Sequence, residues 1–300
     1  GLDAEDVGTT VSGIQTAITL YMLVMATTMI TGGKIGTIIG RRRAFAIGCV
    51  VYGVGSMTTA LAPTLPVLLF GWSLLEGLGA ALILPAIVAL VAANFPPEGR
   101  TKAYGLVAAA GAVAVGVGPV LGGLVTTYFS WRWVFAGEVV LVVAILALTR
   151  RVQDTPPPER RPKLDLVGTG LSMAGLGLIV FGILKASAWG LVMAKEGGPD
   201  LFGLSPTIWL VLAGAVVLYG FFSWEDRLVH TNGEPLFDPA ILKINHLLGG
   251  LTTFMFQFFL QAAIFFIIPL FLSVALGLSA IDTGLRILPL SLSLLVAAIG

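Results

Sequence analysis

The sequence predicts an all-α integral membrane protein, a bundle of eight complete transmembrane helices and a truncated ninth. Three observations carry that prediction. Hydrophobic residues make up 57% of the chain and charged residues 11%, with a mean hydropathy of +0.97; soluble domains carry about 25% charged residues. The apolar residues gather in runs close to the roughly 20 residues a helix needs to cross a bilayer. The basic residues fall between those runs, mostly on one side of the predicted membrane.

In order, the runs cover residues 11–31, 44–62, 67–92, 104–127, 133–148, 166–186, 206–222 and 247–275, with a shorter one at 287–300. Pro85, Pro119 and Pro269 lie inside runs, which membrane helices tolerate better than soluble ones. The one cysteine, Cys49, sits in an apolar run, so no intrachain disulfide can form and a buried spacer is its expected role. The acidic start (Asp3, Glu5, Asp6) lacks the basic region of a secretory signal. A first residue other than Met and a last run too short to span suggest a fragment of a longer protein.

Alternating the sides tests the topology. With the start outside, Lys34, Arg41, Arg42, Arg43, Arg100, Lys102, Arg150, Arg151, Arg160, Arg161, Lys163, Arg227 and Lys243 fall inside, thirteen of the seventeen basic residues. Arg132, Lys185, Lys195 and Arg286 fall outside. The positive-inside rule predicts this asymmetry. The organisation that follows is an N-terminal bundle (1–149), a Pro-rich cytoplasmic linker (150–164), two further spans (165–223), a cytoplasmic connector (224–246) and the start of a second bundle (247–300). The connector has room for a short interfacial helix.

The stretch between the first two runs is glycine-spaced and basic: Gly33, Lys34, Gly36, Thr37, Gly40, Arg41, Arg42. It resembles the signature loop of the major facilitator superfamily, G-K-L-A-D-R-x-G-R-K/R. The family's Asp is Thr37 here and its following Arg is Ile38. The resemblance implies a turn in which those charges latch two bundles. Thr37 can still cap a helix N-terminus but cannot form the ion pair. Ser73-Leu-Leu-Glu-Gly-Leu-Gly-Ala-Ala81 resembles the family's R-x-x-Q-G-x-G-A-A, with Ser73 and Glu76 in place of Arg and Gln. Gly118-Pro119-Val-Leu-Gly122-Gly123 resembles the G-P-x-x-G-G of proton-coupled exporters; its small residues suggest close helix approach and Pro119 a bend. Trp131-Arg-Trp-Val-Phe135 and the extra pair of spans resemble the fourteen-span drug:proton antiporters. In the family the signature loop follows the second span, so the resemblance implies that the family's first span is missing from this chain.

Ionisable groups within the bilayer are costly and usually functional. Glu76 lies about ten residues into its run, ~15 Å deep. Ser73 and Glu76, spaced i, i+3, are expected to share a face. The functional reading is proton or cation binding; a protonated carboxyl hydrogen-bonded between helices weighs about as much. Glu138 lies roughly 9 Å past Arg132 and reads as outer-vestibule cation recognition, as a partner of Arg132 or as part of a water-exposed helix end. Gln257 and Gln261, at i, i+4, face one way and contact either substrate or a neighbouring helix. Phe254, Phe256, Phe258, Phe259, Phe265 and Phe266 around them face lipid or shape an apolar pocket. Trp131 and Trp133 fit an interfacial anchor. His230 and His246 have no metal-ligand pattern around them.

The resemblance implies a secondary active transporter of the bacterial inner (plasma) membrane, exporting apolar or cationic small molecules by alternating access. The proton gradient would supply energy with no cofactor and no metal, and the partners would be lipid bilayer, small-molecule substrate and protons, with no nucleic acid and a monomeric state. Export or import of an endogenous lipid, siderophore or metabolite is the alternative within the class. A membrane-embedded enzyme would need clustered His, Asp or Cys at an interface, and a channel a filter motif or ring of charges. The sequence displays neither.

Overall fold

The computed structural model describes residues 7–9, 11–154, 162–195, 197–231, 233–278 and 280–299. The core of the expected Pro-rich linker, 155–161 with Arg160 and Arg161, lies outside them, as do the acidic start and Ser279. Nine long helices are present among the described residues: α1 (Val11–Ile39), α2 (Arg41–Ala60), α3 (Leu65–Asn94), α4 (Pro97–Tyr128), α5 (Arg132–Thr149), α6 (Leu166–Trp189), α7 (Pro206–His230), α8 (Asn245–Leu270) and α9 (Ala280–Ile299). Six of them, α1, α3, α5, α6, α7 and α8, are long and apolar enough to cross a membrane. Three arginines open α2, and Tyr52, Ser56, Thr58 and Thr59 dilute its apolar run.

Each predicted run is a helix, but several ends move. Helix α1 continues eight residues past Thr31, so most of the expected turn is helical. Only Gly40, at φ 99°, breaks the chain before α2, in a conformation that favours glycine. Helix α7 runs to His230, because Trp224 and Glu225 are held against its neighbours rather than released into a connector. The short helix expected in that connector is a 3₁₀ turn, Pro239–Lys243. The last helix starts at Ala280, before its apolar run, with Asp282 in the first turn where a negative charge complements the helix dipole.

The chain forms two compact units. One holds the described residues up to Leu90 and those of Glu138–Ala240; the other holds Val91–Gly137 and the described residues from Ile241 onward. In the first unit α2 lies along α3, α1 packs on both, and the α6–α7 hairpin packs together and against α1. At one end of that unit Ser205 caps α7 and donates to the Gly190 carbonyl at 2.7 Å, closing the α6–α7 turn. The opposite end carries Lys34, Arg41, Arg42, Arg43, Arg150, Arg151 and Arg227, held together by contacts among the ends of α1, α2, α5, α6 and α7. In the second unit α4 packs along α9, which also meets α8.

Candidate functional site

The buried site is built where α2 meets α3. The two helices touch backbone to backbone at glycines: a Cβ at Gly55 would lie 2.7 Å from the Gly71 carbonyl oxygen and 2.8 Å from Cγ of Glu76. No other residue permits that approach, and it sets Ser56 directly against Glu76. Within α3, Leu69–Glu76 is π-helical; such segments are wider than α-helix and frequent at functional sites. The widening separates two residues expected to share a face. Ser73 Oγ donates to the Ala17 carbonyl of α1 at 2.8 Å, whereas Glu76 turns to α2. Both are buried, but Ser73 joins helices and is not part of the acidic site.

Ser56 is the centre of that site and is fully buried. Its Oγ lies 3.0 Å from Oε1 of Glu76 and 2.9 Å from Oε2 of Glu138. Helix α5 brings Glu138 in beside α2, where Val142, one turn on, packs against Gly53. Tyr52, one turn before Ser56 on the same face of α2, lies near enough to interact with both acids. Tyr21 of α1 is near enough to interact with both acids. Two acids placed on separate helices by sequence are therefore one cluster, with the Ser56 hydroxyl between them. Glu138 makes its hydrogen bonds to this cluster, while the Arg132 guanidinium lies 4.6 Å from the Trp131 ring centroid.

Hydrogen counting gives the cluster its chemistry. A serine hydroxyl has one hydrogen to donate and lone pairs to accept with. Against two ionised carboxylates it can satisfy only one. With one proton on the pair, Ser56 donates to one carboxylate and accepts from the other acid, and both short contacts become hydrogen bonds. Two like charges at this separation resist simultaneous ionisation. The arrangement suits holding and releasing a proton. Among the described residues, no group of three or more His, Cys, Asp and Glu is placed to hold a metal.

The signature stretch is ordered differently from a turn. Thr37 sits inside α1 and caps nothing: its Oγ1 donates to the Gly33 carbonyl at 3.3 Å and accepts from Arg41 Nη2 at 2.7 Å. Arg41 Nη1 reaches the Gly33 carbonyl at 2.8 Å. Gly36 is packed so closely that a Cβ would meet the Arg41 side chain at 3.1 Å. The α2 N-terminus is capped by Asp154, whose Oδ1 accepts from Arg42 N at 2.9 Å. Lys34 Nζ donates to the Pro235 carbonyl at 2.6 Å.

Other predicted residues lie in the second unit. Gly118 is exposed and Gly122 and Gly123 half-buried on α4. Among the described residues a Cβ at Gly118 or Gly122 would meet nothing within 4 Å, whereas a close glycine approach is found at Gly55 and Gly71. The Pro119 side chain lies outside the described residues; the helix continues through its position. Gln257 is exposed and Gln261 half-buried on α8. Phe254, Phe256, Phe258 and Phe259 are exposed there, and the side chains of Phe265 and Phe266 are outside the described set. Trp133 is exposed but Trp131 is buried, so only Trp133 is disposed as an anchor. His230 Nδ1 lies 2.7 Å from the Asp226 carbonyl on the surface of α7.

Sequence reasoning missed Tyr52 and Ser56. Their signal is the i, i+4 polar pair in an apolar helix, the same spacing that drew attention to Gln257 and Gln261.

Residues 2–300 match the profile of the Major Facilitator Superfamily. The chain is 30% identical over 286 residues to an uncharacterised MFS-type transporter of Mycobacterium tuberculosis, covering 95% of this chain and 39% of that protein. It is 30% identical over 302 residues to the probable actinorhodin transporter of Streptomyces coelicolor, covering 98% and 49%. To the tetracenomycin C resistance and export protein of Streptomyces glaucescens it is 26% identical over 295 residues, covering 98% and 52%. The chain thus spans about half the length, or less, of these curated relatives.

Proposed function

The chain belongs to the Major Facilitator Superfamily, a family of membrane transporters and not of enzymes, and from that premise we propose that its parent protein is a proton-coupled exporter of antibiotic-like small molecules. The matched relatives are bacterial proteins named for transport and multidrug resistance, and among the described residues this chain has six helices long and apolar enough to cross a bacterial plasma membrane. The single observation supporting proton coupling is the Glu76–Ser56–Glu138 bridge, buried at Glu76 and Ser56. Support for the substrate class comes from relatives named for actinorhodin transport and for tetracenomycin C resistance and export.

In this mechanism the outward-facing protein takes up one proton, which completes the Ser56 bridge and neutralises one of the two acids. Release of the proton on the cytoplasmic side leaves two carboxylates competing for too few hydroxyl hydrogens. The cluster loosens, and a cationic or polarisable substrate relieves the repulsion. Proton and substrate thereby exclude each other at one place, which is the requirement for exchange between alternating states.

The test uses the full-length protein in proteoliposomes under an imposed pH gradient. Glu76→Gln should abolish gradient-driven accumulation while leaving downhill substrate exchange. Undiminished gradient-driven transport by that variant sinks the coupling role.

A further inference from the structure

We propose that the groove between the first turns of α2 and the end of α5 is a binding site for the phosphate headgroup of an anionic lipid. The groove has a volume of about 400 Å³ and is lined by Arg42, Arg43, Ala46, Leu146, Thr149 and Arg150. Three arginines therefore border one space, and among the described residues no carboxylate lines it. A guanidinium carries fixed charge and a planar fork of donors that matches phosphate oxygens.

The position of the groove decides between a lipid and a soluble anion. Its arginines sit at the basic end of the first unit, where the charge asymmetry places the cytoplasmic interface. Arg42 is oriented from behind, since its Nη1 donates to the Val152 carbonyl at 3.1 Å, while Arg43 and Arg150 are exposed. One helical turn deeper the lining changes to Ala46 and Leu146. Beyond them Ile47 and Val50 on α2 and Val143 on α5 expose apolar side chains. A polar mouth over an apolar wall matches a phosphate ester with an acyl chain attached, and free phosphate would leave the wall uncovered. Basic pockets of this kind at the cytoplasmic edge of helix bundles are suited to anionic lipid headgroups. The site is separate from the acidic cluster and does not depend on the transport mechanism.

The experiment compares phosphatidylglycerol and phosphatidylcholine retained by the purified full-length protein from mixed micelles, read by native mass spectrometry. The expected result is preferential retention of one phosphatidylglycerol. Arg43→Gln with Arg150→Gln should lower that preference about fivefold per arginine removed; both side chains are exposed, and a circular dichroism spectrum verifies the fold. Arg227→Gln removes an exposed charge from the same end but outside the groove and should leave the preference unchanged. Equal retention of the two lipids overturns the proposal, as does an equal loss in Arg227→Gln, which would mean diffuse attraction. Displacement of the lipid by millimolar inorganic phosphate would overturn it too, by identifying a soluble-anion site.

Discussion

Asp154 caps helix α2 from 112 residues away, its Oδ1 accepting the Arg42 backbone N–H at 2.9 Å. Gly40 has no side chain to offer at that N-terminus, and Thr37 is committed one turn earlier to Arg41. The acid that the family's signature places within the loop is thus replaced, at this helix end, by one arriving after α5. A carboxylate there satisfies an orphan amide and complements the positive end of the helix dipole.

Replacing it should therefore be costly out of proportion to its place on the chain. Asp154→Ala is expected to lose about 1 kcal/mol of stability, the usual cost of removing a cap. Thermal unfolding in detergent measures this, and Asp154→Asn should recover most of the loss. An unchanged midpoint for Asp154→Ala would mean that another group caps α2.

Ser56 should govern coupling more than folding. Ser56→Ala removes the hydroxyl that lies between Glu76 and Glu138 and leaves both carboxyl groups without a shared donor. Hydrogen bonds to charged groups are worth about 1.5–3 kcal/mol, so gradient-driven export should fall at least tenfold, with its dependence on external pH flattened. Ser56→Thr keeps the hydroxyl and should preserve the shape of the pH profile even where the added methyl slows turnover. Identical profiles for the Ala and Thr variants would remove Ser56 from the mechanism.

Gly55→Ala tests the packing that creates the site. The added methyl would overlap the Gly71 carbonyl and the Glu76 side chain, and overpacking of this kind typically costs about 1–3 kcal/mol. Gly118→Ala, with open space around it, should cost nothing and sets the baseline. Comparison of the two melting midpoints checks the ranking; equal shifts would contradict the close α2–α3 contact.

Lys34 should hold the segment that follows α7. Its ammonium donates to the Pro235 carbonyl, and Glu225 below accepts from Phe237 N at 3.2 Å. A cysteine placed at the buried Leu236 should react slowly with a maleimide, and several-fold faster once Lys34→Gln removes the donor. The native Cys49 is buried and provides the internal control. No acceleration would show that Glu225 alone suffices.

The helices were legible in the sequence because a bilayer imposes a length and a polarity on every crossing segment, and the charges between the runs set their sides. Family membership was legible for a related reason: glycine and basic residues at fixed spacing leave a pattern that survives substitution. Glu76 and Glu138 could each be singled out, since an acid in an apolar run is conspicuous whatever surrounds it. Their meeting could not be read, because it depends on α2 and α3 approaching at Gly55 and Gly71 and on the π-helical turn that points Glu76 away from Ser73. Nor could the cap of α2, whose donor and acceptor are separated by most of four helices. Sequence determined which residues are expensive to bury; only the tertiary structure decided which of them share a proton-sized gap, because that depends on distances between segments and not on spacing within one.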